Sequence, residues 1–313
     1  MKAWWIRPGV RVLAAMLLPV LVPAIITALI WALPGDPAEI ICPPSTCGGT
    51  SQLAARWHLD AGPWAFFTHW FEGAVRGDFG MSWRVEQGMP VADLLKESIP
   101  VTLKLVLLAL VPIALGAVGA ATGFLPSRAD GVLATLGLVP ALVFALLGSA
   151  AIVVKFGAAA FSLEADLWRL GIGAAVLGMS DGAFASAIAG VRSVFSAERT
   201  QRYVSIAILR GERPLGNMLP NVAPALAGQM RARILHLLSG AVVVEVVLGL
   251  PGVGDLLWSG TLLQDFGVVL AAATLFAVWS AALLLVQACV EVIVSLHVRR
   301  APDLAQPLAA VKA

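Results

Sequence analysis

The stretch VRSVFSAERTQRYVSIAILRGERPLGNMLPNVAPALAGQMRAR, residues Val191–Arg233, lies between two long apolar runs and is itself basic. It holds seven arginines (Arg192, Arg199, Arg202, Arg210, Arg213, Arg231 and Arg233) against two acids, Glu198 and Glu212. Within it, Ala207-Ile-Leu-Arg-Gly211 is followed by Pro214, Pro220 and Pro224. Lys and Arg beside membrane spans are retained in the cytoplasm. In an apolar chain this stretch therefore predicts a long cytoplasmic loop, a natural place for a soluble partner to dock.

The rest of the chain supplies the apolar context. Hydrophobic residues make up 59% of the 313 and charged residues 13%, and the mean hydropathy is +0.88. So few charges could not cover a soluble surface of this size, which places the chain in the membrane class. The net charge of +2 gives no sign of nucleic-acid binding, because the basic residues flank apolar runs.

Six spans of about twenty apolar residues can be drawn, at Val12–Leu33, Val101–Leu125, Val132–Val154, Leu167–Ala189, Ile234–Leu250 and Val268–Leu296. The first follows Lys2, Arg7 and Arg11 without a clear small-residue cleavage site, so it reads as an uncleaved span. Arg128 and Arg299-Arg300 fall on the same side as the Arg-rich stretch, which predicts both termini in the cytoplasm. The chain then divides into an N-terminal segment and first span (1–33), a long external loop (34–100), a five-span core (101–298) and a cytoplasmic tail (299–313). The core includes the basic loop 191–233. Short amphipathic helices are expected in the external loop around Trp64–Phe71. Glycines recur in the second and fourth spans (Gly116, Gly119, Gly123; Gly171, Gly173, Gly178), where they allow close helix packing.

Several side chains stand out. Cys42 and Cys47 flank Pro-Pro-Ser-Thr in the external loop, where they either form a local disulfide or remain two free thiols. Cys289, inside an apolar span, reads as a small packing residue. Lys104 can reach the interface from the outer end of the second span. Intramembrane carboxylates are costly. Asp181, in Gly178-Met-Ser-Asp-Gly182, lines a pathway or makes a structural hydrogen bond. Glu245, in Ala241-Val-Val-Val-Glu-Val-Val-Leu248, must find partners in the bundle or stay protonated. Glu291 is expected to meet Arg299 or water. Leu250-Pro-Gly-Val-Gly254 is a helix stop and an outward turn. No metalloprotease, serine-hydrolase or phosphate-loop motif occurs. The four histidines, His58, His69, His236 and His297, are scattered along the chain. The sequence therefore assigns no catalytic residue, no metal site and no bound cofactor, and any ATP energy must come from another polypeptide.

These features resemble, in order along nearly the whole chain, the B-type permease subunits of bacterial dipeptide, oligopeptide and nickel ABC importers. Leu33-Pro-Gly-Asp-Pro-Ala38 looks like their L-P-G-D-P-A. His58-Leu-Asp60 with Pro63 is similar to G-L-D-x-P, and Arg76-Gly-Asp-Phe-Gly-Met-Ser82 to G-D-L-G-x-S. Ile99-Pro-Val-Thr-Leu-Lys-Leu105 resembles L-P-x-T-L-x-L. Arg192 precedes Tyr203-Val204 as in the family. Ser239-Gly-Ala-Val-Val-Val-Glu245 and Leu250-Pro-Gly-Val-Gly254 resemble G-a-v-v-V-E and P-G-x-G, and Asp265 falls where R-D-y-P stands. In the basic stretch, Ala207 and Gly211 match the A-x-x-x-G of the EAA motif, and Asn221 fits its N-A-L-x-P part. The chain departs from the family between Gly211 and Asn221, which is about four residues shorter than the family pattern, and at its end, where His297-Val-Arg-Arg300 replaces D-P-R.

The resemblance implies an all-α membrane protein of six helices with the ABC importer type I permease fold and a long external loop between helices 1 and 2. It implies a multi-pass protein of the bacterial inner membrane that is not itself an enzyme. Implied partners are a homologous second permease, ATPase subunits that use ATP and Mg, an extracytoplasmic solute-binding protein and membrane lipid, with no nucleic acid. The solutes implied are short peptides, a metal or a metal chelate. On this reading Ala207, Arg210, Gly211, Glu212, Arg213 and Asn221 couple to the ATPase. Asp181 and Glu245 belong to a pathway or gate, and Pro251, Gly252, Gly254 and Asp265 form the external turn. Two alternatives stand beside it: a diverged, non-transporting membrane scaffold, and an ion-coupled transporter acting alone.

Overall fold

In lipid a backbone must satisfy its own hydrogen bonds, and a helix does so within one segment. The computed structural model describes residues 6–41, 49–126, 128–159 and 162–300, and these are almost wholly helical. Among them the one strand-like pairing is a bridge between Met81 and Pro90. Five helical stretches are long and apolar enough to cross a membrane. A further pair, bent by 71°, makes a sixth crossing if counted as one span.

The first span is α1 (Ile6–Ala32). The segment after it carries the short helices α2 (Pro37–Ile41), α3 (Thr50–Arg56) and α4 (Pro63–Val75). The second span, α5 (Val91–Thr122), begins ten residues before the expected start of the core, because Pro90 supplies the helix N-cap and Val91, Leu94 and Leu95 are buried. Gly123, at φ +81, ends it. The expected third span at Val132 is corrected. A separate short helix, α6 (Ala129–Leu136), stops at Gly137, and the span proper, α7 (Ala141–Phe156), starts after Pro140. A Cβ on Gly137 would sit 2.6 Å from Gly182 Cα, so this bend is packed directly on the fourth span.

The fourth span is two helices, α8 (Leu163–Met179) and α9 (Ala183–Arg199), joined by a 3-10 turn at Ser180–Gly182. Asp181 and Gly182 both have positive φ there, +51 and +69. The Arg-rich connection is helical for most of its length. It holds the end of α9, the short α10 (Arg202–Leu209) and the first turns of α11 (Pro214–Leu248). Pro214 opens α11 at a position where its missing N–H is not needed. Pro220 and Pro224 lie inside the helix without ending it. Beyond Gly249 (φ +65) come α12 (Val253–Leu262) and the last span, α13 (Phe266–Arg300).

Three buried clusters hold this together. The largest joins α5, α7, α8, α9 and α11 through Leu105, Ala145, Leu177, Leu237 and Val244. A second sits between α2–α4, the start of α5, α12 and the start of α13, around Phe66, Trp70, Val91, Val253 and Leu270. The segment that reads as an external loop is thus built into the ends of the spans. A third, smaller cluster joins α9, α10 and α11. Gly178 and Gly116 bring α5 against α8 and α9: a Cβ on Gly178 would lie 3.0 Å from Ala109 O, and one on Gly116 2.7 Å from Phe184.

The first span lies along α13 and exposes Leu13, Met16, Leu17, Leu21 and Ile25 on its other side, as a lipid-facing helix does. Arg11 pairs with Glu291 across this contact, and Gln287 also donates to Glu291 at 3.3 Å. Glu291 is therefore tied to the first span through Arg11, a partner the sequence did not suggest; the acid sits one turn beyond Gln287 on the face that meets α1. Cys289 is exposed, not a packing residue. Cys42 and Cys47 lie outside the described residues.

Candidate functional site

The residues expected to couple to a partner divide into two groups. Val204 on α10 is buried against Phe195, Met218 and Val222 of α9 and α11, and Ala207, one turn on, is buried too. These two residues mark the face by which α10 sits on the bundle. The outward face of α10 presents Ile206, Ile208 and Leu209, the last 87% exposed. Arg210, Gly211, Glu212 and Arg213 form the exposed turn that follows.

That turn is a Schellman cap. Gly211 N donates to Ile208 O at 3.0 Å and Glu212 N to Ala207 O at 3.0 Å, with Gly211 at φ +76. Glu212 then accepts from Asn217 Nδ2 at 2.6 Å, which fixes the entry into α11. Asn221 is exposed on α11 and lies in hydrogen-bonding contact with Tyr203, whose hydroxyl also donates to Glu198. Burial and the Glu198 carboxylate push the Tyr203 hydroxyl above its usual range, so it stays a donor.

Arginines that the sequence marked only as basic have specific partners. Arg192 Nη2 donates to Leu125 O at 3.1 Å and pairs with Asp130 at 3.1 Å. Arg199 Nη2 donates to Ala121 O at 3.0 Å. Arg199 thus meets a last-turn carbonyl of α5, where the helix dipole is negative, and Arg192 holds the segment just beyond that helix. Arg233, on the buried stripe of α11, donates to Ser186 Oγ at 2.6 Å, and Ser186 in turn donates to Gly182 O. Asp181 accepts from Ala141 N at 3.2 Å, capping the start of α7, while its own N–H donates to Val139 O at 3.4 Å. The break in the fourth span is therefore a junction of α7, α9 and α11.

Glu245 is fully buried. Its Oε1 accepts from Thr102 Oγ1 at 2.7 Å, and its Oε2 accepts from Gly254 N at 2.7 Å and Asp255 N at 3.2 Å. Thr102 Oγ1 accepts from Val253 N at 2.8 Å. The carboxyl group of α11 and the hydroxyl of α5 together cap the first turn of α12, where anionic and acceptor groups are favoured. The glycines of Pro251-Gly-Val-Gly254 make room for this. A Cβ on Gly252 would run into the Glu245 carboxyl group, and one on Gly254 would stand 2.8 Å from Oε2.

Asp265 makes a second buried clasp. It is fully buried, and its Oδ2 accepts from Ser82 Oγ at 2.7 Å, Trp83 N at 2.7 Å, Arg84 N at 3.0 Å and Val85 N at 3.2 Å. Arg84 extends the clasp with bonds to Leu263 O at 3.1 Å and Ile40 O at 2.6 Å. The loop after α4 is thereby pinned to the turn between α12 and α13.

The structure brings Glu245 together with Gly252 and Gly254, and Asp265 with the Arg76–Ser82 motif; Asp181 stands apart from both clasps. Thr102 and Ser82 were not singled out in the sequence, and the partners of Arg192 and Arg199 were not foreseen there. Thr102 and Ser82 each lie inside a motif quoted above, but nothing in one sequence pairs positions 143 or 183 residues apart.

Comparison with known proteins gives the geometry its context. Residues 113–301 match the family described as binding-protein-dependent transport system inner membrane component. The chain is 28% identical over 263 residues to the glutathione transport system permease protein GsiC of Shigella boydii serotype 4 (strain Sb227), covering 78% of this chain and 82% of that protein. It is 28% identical over 260 residues, with the same coverage, to GsiC of Escherichia coli (strain K12).

Proposed function

The chain belongs to the family of binding-protein-dependent transport system inner membrane components, as a permease component of an ABC importer, and we propose that it moves short peptides across the inner membrane. A peptide of the size of glutathione, the solute in the relatives' name, represents the class. On this reading ATPase subunits seat on α10 and the turn Arg210–Arg213. An extracytoplasmic binding protein meets the opposite end, where α2–α4 and α12 lie, and a second permease completes the path. Both chain termini and the Arg-rich stretch face the cytoplasm.

The observation that carries the reading is α10 itself. An eight-residue helix is held on the bundle by Val204 and Ala207, exposes Ile206 and Leu209, and ends in a complete cap at Gly211. Such a face suits a protein partner. This also speaks against the scaffold alternative, since α10 and its cap are complete beside the shortened segment. The ion-coupled alternative loses support because Asp181 caps α7 and Glu245 caps α12, which leaves neither as a free carrier group.

The test is uptake into vesicles holding this chain with its partner permease and ATPases, and with binding protein supplied on the substrate side. ATP-dependent accumulation of labelled di- and tripeptides, stimulated by the binding protein, is expected. Hydrolysis that does not respond to the binding protein, with no uptake, would favour the scaffold. Uptake that follows an ion gradient without ATP would favour the lone transporter.

A further inference from the structure

His58 and His69 are far from α10 and from both buried carboxylates in the sequence, and no step of the proposed transport cycle uses them. His58 follows α3 in the left-handed region, at φ +55. Its N–H donates to Ala55 O, and Leu59 N donates to Ala54 O at 2.9 Å, so it occupies a helix-ending position that ordinarily takes Gly or Asn. Leu59 beyond it is buried and holds the turn in place. This conformation lays the His58 ring against the ring of His69 on α4, with centroids 4.3 Å apart and planes at 54°. Both side chains are exposed. Among the described residues neither ring has a hydrogen-bond or ion-pair partner.

We propose that His58 and His69 form a two-imidazole site for a divalent transition-metal ion such as Cu²⁺ or Zn²⁺. Each neutral imidazole offers one nitrogen lone pair, and imidazole suits these ions. With metal–nitrogen bonds of about 2.1 Å, two imidazoles meeting one ion at a right angle have centroids about 4.5 Å apart. The observed spacing needs little more than a side-chain rotation to reach that arrangement, and exposed rings are free to make it. Among the described residues no group of three or more His, Cys, Asp or Glu gathers to complete a protein-only set. The remaining positions stay open to water or to an arriving molecule. His69 also rims a cleft of about 430 Å³ lined by Trp57, Trp70, Asp78 and Met81, so such a molecule has room to approach. The site is therefore an exchangeable one that ties the end of α3 to α4. It does not depend on which solute the permease carries.

The experiment uses the full chain in lipid nanodiscs, with its affinity tag removed and Cys42, Cys47 and Cys289 replaced by Ser. Equilibrium dialysis against Cu²⁺ and against Zn²⁺ is expected to give one ion per chain, with Cu²⁺ the tighter. Affinity falls at least tenfold in His58→Asn, which keeps a residue suited to the left-handed backbone, and in His69→Gln. His236→Gln leaves it unchanged. Electron paramagnetic resonance of the Cu²⁺ form shows two coupled nitrogens, reduced in either variant. Less than one ion per chain, equal affinity in all variants, or fewer than two coupled nitrogens would overturn the proposal.

Discussion

Replacing Glu245 by Leu and by Gln separates what its shape does from what its oxygens do. Leu fills a similar volume but accepts nothing. Two backbone donors, Gly254 N–H and Asp255 N–H, then lose their acceptor in a buried site, and Thr102 loses its partner. At about 1–3 kcal/mol for each stranded donor, the two backbone groups alone cost about 2–6 kcal/mol. Gln can turn its amide oxygen to both backbone groups and donate from nitrogen to Thr102 Oγ1, so its cost is expected within about 1–2 kcal/mol. At about 2–4 °C per kcal/mol, Leu lowers the melting temperature by about 4–24 °C and Gln by about 2–8 °C. Tryptophan fluorescence during heating of the purified chain in nanodiscs measures both. Gly252→Ala is destabilising by itself because its Cβ meets the same carboxyl group. In a Glu245→Ala background that cost shrinks, a non-additivity that identifies the contact. Equal melting temperatures for Leu and Gln would refute the capping role. Equal loss of transport in both, with stability retained in Gln, would mean that the charge itself is needed.

Gly211→Val strains a φ of +76, with a cost of about 1–2 kcal/mol confined to the α10 cap. Membrane assembly is expected to persist while binding-protein-stimulated ATP hydrolysis falls, and Gly211→Asn, which tolerates this backbone, is expected to retain most of it. Asp265→Asn replaces an acceptor shared by four donors with a group that has its own N–H to place. Limited proteolysis is expected to cut residues 76–90 in the variant at least several-fold faster than in the parent, and an unchanged rate would remove the clasp. Impermeant thiol labelling of single-Cys chains in intact cells is expected to mark position 62 and spare position 212; the reverse pattern would invert the topology. Cys42 and Cys47 are expected to resist alkylation until reduced, and two freely alkylated thiols in mass spectra of non-reduced protein would show that no disulfide forms.

Hydropathy made the apolar spans legible because lipid demands long uninterrupted helices, and the apolar parts of α1 and α13 lie where composition put them. The ends were less legible. Val132 looked like the start of a span, but Gly137 and Pro140 divide α6 from α7, and tertiary packing of Gly137 on Gly182 makes that division useful. Pro220 and Pro224 each remove only one donor from a helix already under way, and α11 continues through both. The site was legible as residues and not as pairs. Glu245 was visible as an acid needing donors, and Asp265 as a motif position. Their donors come from Thr102 and from the 82–85 turn, which only the folded bundle brings near.

The single helix α11 has a consequence for how this chain can vary in length. It begins beside the Gly211 cap and reaches Glu245 without a break, so the angular phase between the two ends is fixed by residue count. Each residue added or removed turns the far end by about 100° and shifts it by about 1.5 Å. The segment after Gly211 is about four residues shorter than the family pattern. Four residues are close to one full turn, so that shortening leaves the two ends only about 40° out of their former phase and about 6 Å closer. A change of two residues would turn Glu245 through about 200° and point it away from Thr102. Length variants of this helix are therefore expected to survive in steps near whole turns and to fail between them.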